Sequence, residues 1–412
     1  MMDGDFFVPI IRLDLLEHHN LSLPNTWEEL ADIAEFFHGK DLNDDGEPDF
    51  GLCHFPRLGA GFWDQWFAEV VYSTWATYSQ TEGIEQGFLF DPETLEPNID
   101  QGFEEAAKIW KSLWNSGSSA CDDSFQTGRC AVGYGPPGCW KSTFLGGVSR
   151  TGQNGTVLWE PRHKSGAYAE PYRFKPPGST KVVHPKTGAL VPCTSEICPK
   201  AEAIPATGHH GINDRAHQFL QPSPHAGKLV NRAPFYWSGG LGGLIRKSSA
   251  PVKKDLMWDF FVYTNSPETS VTDVAAYASW LDSWRYSQLV PGANFMQAGW
   301  SRQAYEEHAA MQQWGLSSEA NGVLNMRLPG VARYTDEAMG TEIKKFIEDE
   351  IDLKVLLRSV FEDWEKIHEE KGRLDQRKYS TKDLRTLISP IPHAVCQSFS
   401  HDVSCFTRTA VL

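Results

Sequence analysis

The most constraining stretch of the sequence is a helix with a written start. Pro24, Asn25 and Thr26 precede Trp27, and Thr26 with Glu29 has the spacing of a capping box, in which each satisfies a backbone N–H of the other's turn. Trp27, Leu30, Ala31, Ala34 and Phe37 then recur at helical spacing, and Gly39 is a natural stop. A helix with one apolar stripe must bury that stripe against another layer. A second striped helix is predicted over 102–116, with Phe103, Ala106, Ala107, Trp110, Leu113 and Trp114 on one face and Gly117 after it. An extended segment near residue 8 and a short apolar strand from Cys130 to Tyr134 supply sheet, so the fold class is α/β.

Further helices are expected over 60–82, from Pro251 onward with Leu256, Met257, Trp258, Phe260 and Phe261 buried, over 268–288, and as one long helix over 341–371. Between 145 and 232 the chain is rich in Gly, Pro, Ser and His and shows little periodicity. Loops of that length are uncommon inside a compact domain. Residues 373–412 show no comparable pattern and read as a poorly ordered tail.

Composition excludes some functions. A net charge of −15 leaves no basic face for phosphates, so no nucleic-acid partner is expected. No run of about 18 apolar residues marks a membrane span. The 15 Trp are more suggestive, because several lie in Gly-rich stretches, where a flat apolar face suits a neutral sugar ring as well as a core.

Eight Cys include no C-x-x-C pair, which argues against a zinc ribbon. The pair Cys193 and Cys198 fits a local disulfide, and Cys121, Cys130 and Cys139 form a looser group. Disulfides and the sequons at Asn20 and Asn154 fit an extracytoplasmic setting, although residues 1–20 contain no signal peptide.

Asp41, Asn43, Asp45 and Asp49, with Gly46 between them, match positions 1, 3, 5, 9 and 6 of a calcium loop. Position 12, where a bidentate Glu belongs, is Leu52. The loop therefore reads either as a calcium site with a borrowed ligand or as an Asx-rich turn. His209, His210, His217 and His225 match no ligand spacing.

Catalytic motifs fail on inspection. Gly133 to Gly138 spells G-x-G-x-x-G, but Pro136 and Pro137 remove the N–H groups a phosphate cradle needs. Neither a G-x-S-x-G elbow nor an H-E-x-x-H helix occurs. Acidic pairs such as Glu104–Glu105 and Glu362–Asp363 fall on predicted helix faces, and hydrolysis of a glycan would need two carboxylates converging across a sugar.

The order of motifs resembles the extracellular solute-binding proteins of ABC importers, family 1, the maltose- and glycerol-phosphate-binding group. The resemblance is carried by Ile11 to Leu30 around the Thr26-Trp27 block, by Gly39 to Gly51, and by Phe125 to Gly128 leading to Gly138-Cys139-Trp140. Ser238-Gly239-Gly240 with Ile245, and Leu328 to Tyr334, complete it. It covers about residues 8–371 and implies a type II periplasmic-binding-protein-like fold, two α/β lobes closing by a hinge.

On that resemblance, 8–232 is lobe two, 233–325 the remaining part of lobe one, and 326–372 helices returning to lobe two. The ligand is a sugar, polyol or glycerol phosphodiester, and no cofactor beyond possible calcium is implied. Ligand contacts are expected from Trp140, Trp63, Trp66, Ser238, Gly239, Gly240, Arg333 and Tyr334. A membrane permease or a signalling module would be the partner. The family's opening segment has no counterpart before residue 8, so the first lobe is expected to be incomplete. That departure, with the Cys-containing loop, raises two rivals to uptake: a receptor ectodomain, and an incomplete gene product that binds nothing. A glycan-processing enzyme is the third.

Overall fold

The computed structural model describes residues 7–377 except 55–64, 85, 92, 119–124, 126, 136–140, 142–146, 152–156, 162–171, 206–219, 237–242, 277–278, 280, 290–291, 316, 318–320, 325 and 327. The expectations on Cys121, Cys139, His209, His210, His217 and the tail beyond Arg377 fall outside those residues.

The capping box forms as expected. The Thr26 hydroxyl accepts from the Glu29 N–H at 3.2 Å, and the Glu29 carboxylate accepts from the Thr26 N–H at 3.1 Å. It starts a helix at Trp27–Phe37, whose five predicted stripe residues are all buried. The chain enters through β1 (Val8–Ile11) and a short α1 (Leu13–His18), so the Trp27 helix is α2. β2 (Phe50–His54) returns against α2 so closely that a Cβ on Gly51 would lie 1.7 Å from the Ala34 carbonyl oxygen. Only glycine fits there.

α3 (Gln65–Ser79) and α4 (Gln101–Asn115) follow. In α3 the apolar Val71, Tyr72 and Trp75 and the polar Ser73, Thr74 and Thr77 are all buried, as in a helix enclosed on every side. Gly117 does not end α4 as a left-handed cap. It opens β3 (Gly117–Ser118), which pairs parallel with β2. With the fully buried β4 (Cys130–Gly135) and with β7 (Tyr172–Arg173), the main sheet runs β3-β2-β4-β1-β7. β2 lies parallel to β3 and β4, while β1 is antiparallel to both β4 and β7.

The irregular stretch 145–232 contains more strand than its sequence suggests. β5 (Gly147–Thr151) and β6 (Val157–Pro161) form a hairpin ladder. β8 (Gly178–Ser179), β9 (Lys181–Val183), β10 (Leu190–Pro192), β11 (Glu202–Ala203) and β12 (Leu229–Arg232) are two to four residues long, too short for period-two alternation to show. Cys193 and Cys198 are joined as expected, and a second disulfide joins Cys53 on β2 to Cys130 on β4.

β13 (Phe235–Tyr236) pairs parallel with β14 (Val323–Leu324). Between them lie α5 (Pro251–Thr264), α6 (Pro267–Ala275), α7 (Tyr286–Leu289), α8 (Ala293–Gln297) and α9 (Arg302–Gly315). The expected burial of α5 is overturned: none of its residues is buried, and Leu256, Met257, Trp258 and Phe260 all face solvent. The stretch predicted as one helix over 268–288 breaks after Ala275.

The long C-terminal helix is likewise divided. A π-helical stretch (Arg333–Gly340) leads into α10 (Thr341–Ile347). Asp349 then adopts φ +62°, and the Asp352 side chain caps α11 (Leu353–Lys371) by accepting from the Val355 N–H at 2.8 Å. Gly372 ends it, as predicted.

Candidate functional site

The seam where β7 meets α9 gathers a group of buried polar side chains. Arg173 enters from β7, opposite Ile10 of β1. Its guanidinium donates to Nδ1 of His308, and it stacks 5.6 Å from the Trp300 ring centroid. His308 packs between Phe295 and Trp300, with the Ser283 hydroxyl 3.4 Å from its Nε2. Asp282, Glu307 and Gln312 are buried in the same region. Lys141 arrives from the end of the β4 segment, and its ammonium donates to the carbonyls of Val274, at 2.8 Å, and Leu281. Trp300 completes the wall by donating from Nε1 to the Ala275 carbonyl at 3.0 Å.

Burial governs the charges here. It pulls the Arg173 pKa down to about 10, against the opposing pull of Asp282 and Glu307. His308 is held well below its ordinary value, first by burial and then by the nearby Arg173 and Lys141 charges. At neutral pH His308 is therefore an uncharged acceptor for Arg173.

A second buried network joins α3 to two distant segments of the chain. Asn231 donates to the carbonyls of Thr77 and Gln80, both at 2.8 Å, and Asn321 donates to the Gln80 carbonyl at 2.6 Å. Gln80 donates in turn to the Asn321 side chain and the Gly322 carbonyl. The end of α3 is thus tied to the residues just before β13 and β14.

The predicted contacts are distributed unevenly. Trp140, Trp63, Ser238, Gly239 and Gly240 lie outside the described residues, and so does the side chain of Trp66, whose backbone is in α3. Arg333 is on the surface, 2.6 Å from Glu370 and 3.7 Å from Glu337, beside a shallow groove of about 130 Å³. That is below the volume of an ordinary ligand pocket. Tyr334 corrects its expectation. It has no exposed surface, its hydroxyl meets His368 Nδ1 at 3.0 Å, and its ring packs on Trp364. Phe90 and, from the last helix, Trp364 and His368 close over its ring and bury it in the core.

The acidic loop folds on itself. Asp41 accepts from the N–H groups of Asn43, Asp45 and Gly46. Asn43 donates to Asp45 and to the Thr127 carbonyl. Asp49, buried, accepts from the Leu42 N–H at 2.7 Å and from Arg129 at 2.9 Å. Leu52, at position 12, is buried in β2. With Asp49 bonded to Arg129, this arrangement fits the Asx-turn reading. Among the described residues no group of three or more His, Cys, Asp or Glu is placed to hold a metal.

The architecture matches solved structures. Maltose-bound MalE3 of T. maritima aligns with 89% of this chain and 71% of its own, at 12% identity and a TM-score of 0.51. The chain has the type II periplasmic-binding-protein fold. An ABC substrate-binding protein from Listeria monocytogenes in complex with cycloalternan is similar at 11% identity, with 89% and 71% of the two chains covered and a TM-score of 0.49. The sugar-binding protein MalE from Xanthomonas citri is similar at 14% identity, with 94% and 72% covered and a TM-score of 0.48. No family model and no curated protein matches the sequence. In this fold the seam residues Arg173, Asp282, Glu307 and His308 were not foreseeable, since they form no motif in the sequence.

Proposed function

We infer that the chain binds a small neutral solute, a carbohydrate or polyol, between its two lobes and performs no chemistry on it. The observation that carries this reading is the seam. Fully buried arginine, carboxylate, amide and imidazole groups converge there beside Trp300, a rigid polar support to which the Lys141 ammonium ties the chain just after Trp140. Lys141 is anchored in that seam, and Trp140, the leading stacking candidate, precedes it directly. Trp63, Trp66 and Ser238 to Gly240 remain part of the proposal, as does Arg333 at the rim; Tyr334 does not. The similar MalE3 structure holds maltose, a ligand of the proposed class.

Lobe two is assigned to 8–232 and 326–372, and 233–325 to lobe one. The paired β13 and β14 carry the crossings, held by the Gln80, Asn231 and Asn321 network. The lobes then close about that hinge. Delivery to a permease or presentation to a signalling module, in an extracytoplasmic compartment, follows from this reading. The disulfides fit that compartment. Among the described residues no helix is long and apolar enough to cross a membrane.

A thermal-shift screen of the purified chain against maltodextrins, polyols and glycerol phosphodiesters tests the proposal. A ligand at 100 times its Kd adds about 2.7 kcal/mol. A dose-dependent rise with one sugar or polyol that is diminished by Trp140→Ala supports it. A cooperative melt that no member of the panel moves counts against it.

A further inference from the structure

Solute binding leaves the sequon Asn20-Leu21-Ser22 unused. Such triplets arise readily by chance, so one is an acceptor only where the fold presents it. Here α1 ends in a Schellman turn. The Leu21 N–H donates to the Leu16 carbonyl at 2.8 Å, and the Asn20 N–H to the Glu17 carbonyl at 3.1 Å. That turn needs a residue in the left-handed region, and Asn20 occupies it at φ +57°. The fold alone thus accounts for Asn or Gly at position 20. It does not account for Ser22. The Ser22 backbone bridges to Gln221, but its hydroxyl has no hydrogen-bond partner among the described residues.

The Asn20 side chain is presented outward. Every residue from Glu17 to Asn20 is exposed. Asn20 Oδ1 accepts from Gln221 Nε2 at 2.7 Å, while its Nδ2 has no partner among the described residues. The amide is planar, so the bond that holds Oδ1 also fixes the direction of Nδ2. A substituent on Nδ2 leaves that bond intact, because Oδ1 keeps its lone pairs. The two disulfides fit an oxidising compartment, the side of the membrane on which glycans are attached.

We propose that Asn20 is an N-glycosylation site whose donor is an oligosaccharide carried on a lipid pyrophosphate. A bond forms between Nδ2 and the anomeric carbon of the first sugar. The bond from that carbon to the pyrophosphate oxygen breaks, the lipid pyrophosphate leaves, and Nδ2 gives up one of its two protons. The glycan then projects into solvent from the end of α1, with Oδ1 still held by Gln221. The site needs the extracytoplasmic setting of the proposed function but not its ligand, so a failed ligand screen leaves it standing.

The test sends the full chain into the secretory lumen of a eukaryotic cell behind a cleavable leader, whose removal shows that the chain arrived. Chain recovered from cells and medium together is treated with peptide N-glycosidase and read by peptide mass spectrometry. The glycosidase is expected to deamidate Asn20 in most wild-type molecules. Ser22→Ala should abolish that deamidation, although it keeps Asn20, its turn and its bond to Gln221. Ser22→Thr should preserve or raise it. Asn20 left unmodified in the wild-type chain overturns the proposal. So does a glycan found only on Asn154, or a deamidation at Asn20 that persists in Ser22→Ala.

Discussion

Arg173 and His308 meet inside the seam between β7 and α9, 135 residues apart in the chain, with no exposed surface on either. The guanidinium donates to an imidazole that is neutral because burial and the neighbouring cations disfavour its proton. Charging that imidazole would place a third cation beside Arg173 and Lys141.

The first prediction is acid sensitivity. The folded-state pKa of His308 lies below the ordinary value near 6.5, so below that pH the unfolded chain takes up the proton that the folded chain refuses. His308 thus contributes stability that is present above about pH 6.5 and lost as the pH falls. His368 has the same sign, with its pKa lowered to about 4, mainly by burial. Tm measured from pH 7.5 to pH 4 should fall more steeply for the wild-type chain than for His308→Gln, which keeps an acceptor for Arg173 but cannot protonate. Parallel curves for the two proteins would discard His308 as the sensor.

What the sequence disclosed were local features. The α2 start was legible because Thr26 and Glu29 act on each other within one turn, and its stripe because every residue in it faces one layer. α5 was legible as a helix but not as an exposed one, since its burial depends on what packs against it and its residues carry no record of that. The break at Asp349 to Asp352 escaped a reading based on apolar periodicity, because buried apolar residues recur on both sides of it. Arg173 and His308 gave no signal at all. Two isolated polar residues become a site only through the packing of β7 on α9.

Tyr334 supplies the second prediction. Its hydroxyl is bonded to His368 in a core shared with Trp364 and Phe90, away from the proposed ligand seam. Tyr334→Phe should lower unfolding free energy in urea by about 1–2 kcal/mol, the cost of leaving a buried partner unmet. Affinity for any sugar found in the screen should stay within about twofold, since the change removes no group from the seam. A large loss of affinity with unchanged stability would return Tyr334 to the ligand.

The acidic loop yields the third. Asp41 holds three backbone N–H groups, and Asp49 is paired with Arg129, so both carboxylates are engaged within the protein. Asp41→Ala should cost about 1 kcal/mol, as the loss of a capping carboxylate does. Millimolar calcium should leave the wild-type Tm where it is. A saturable rise with calcium, abolished in Asp41→Ala, would show that Asp49 exchanges Arg129 for the metal.

The last prediction separates the two disulfides. Cys193 and Cys198 close a loop with a sequence separation of only 5, whereas Cys53 and Cys130 span 77. Constraint of the unfolded chain grows with the logarithm of loop length, giving about 2 kcal/mol for the short loop and about 4 kcal/mol for the long one. The long link also joins β2 to β4, the two parallel strands at the centre of the main sheet, so its loss frees the sheet from the segment between them. Urea denaturation of the paired Cys53→Ala, Cys130→Ala variant should therefore show the larger drop, and Cys193→Ala, Cys198→Ala the smaller. Equal drops, or the reverse order, would mean that the β2–β4 ladder holds the unfolded-state ends together without the bond, and that the short bridge does more than close a turn.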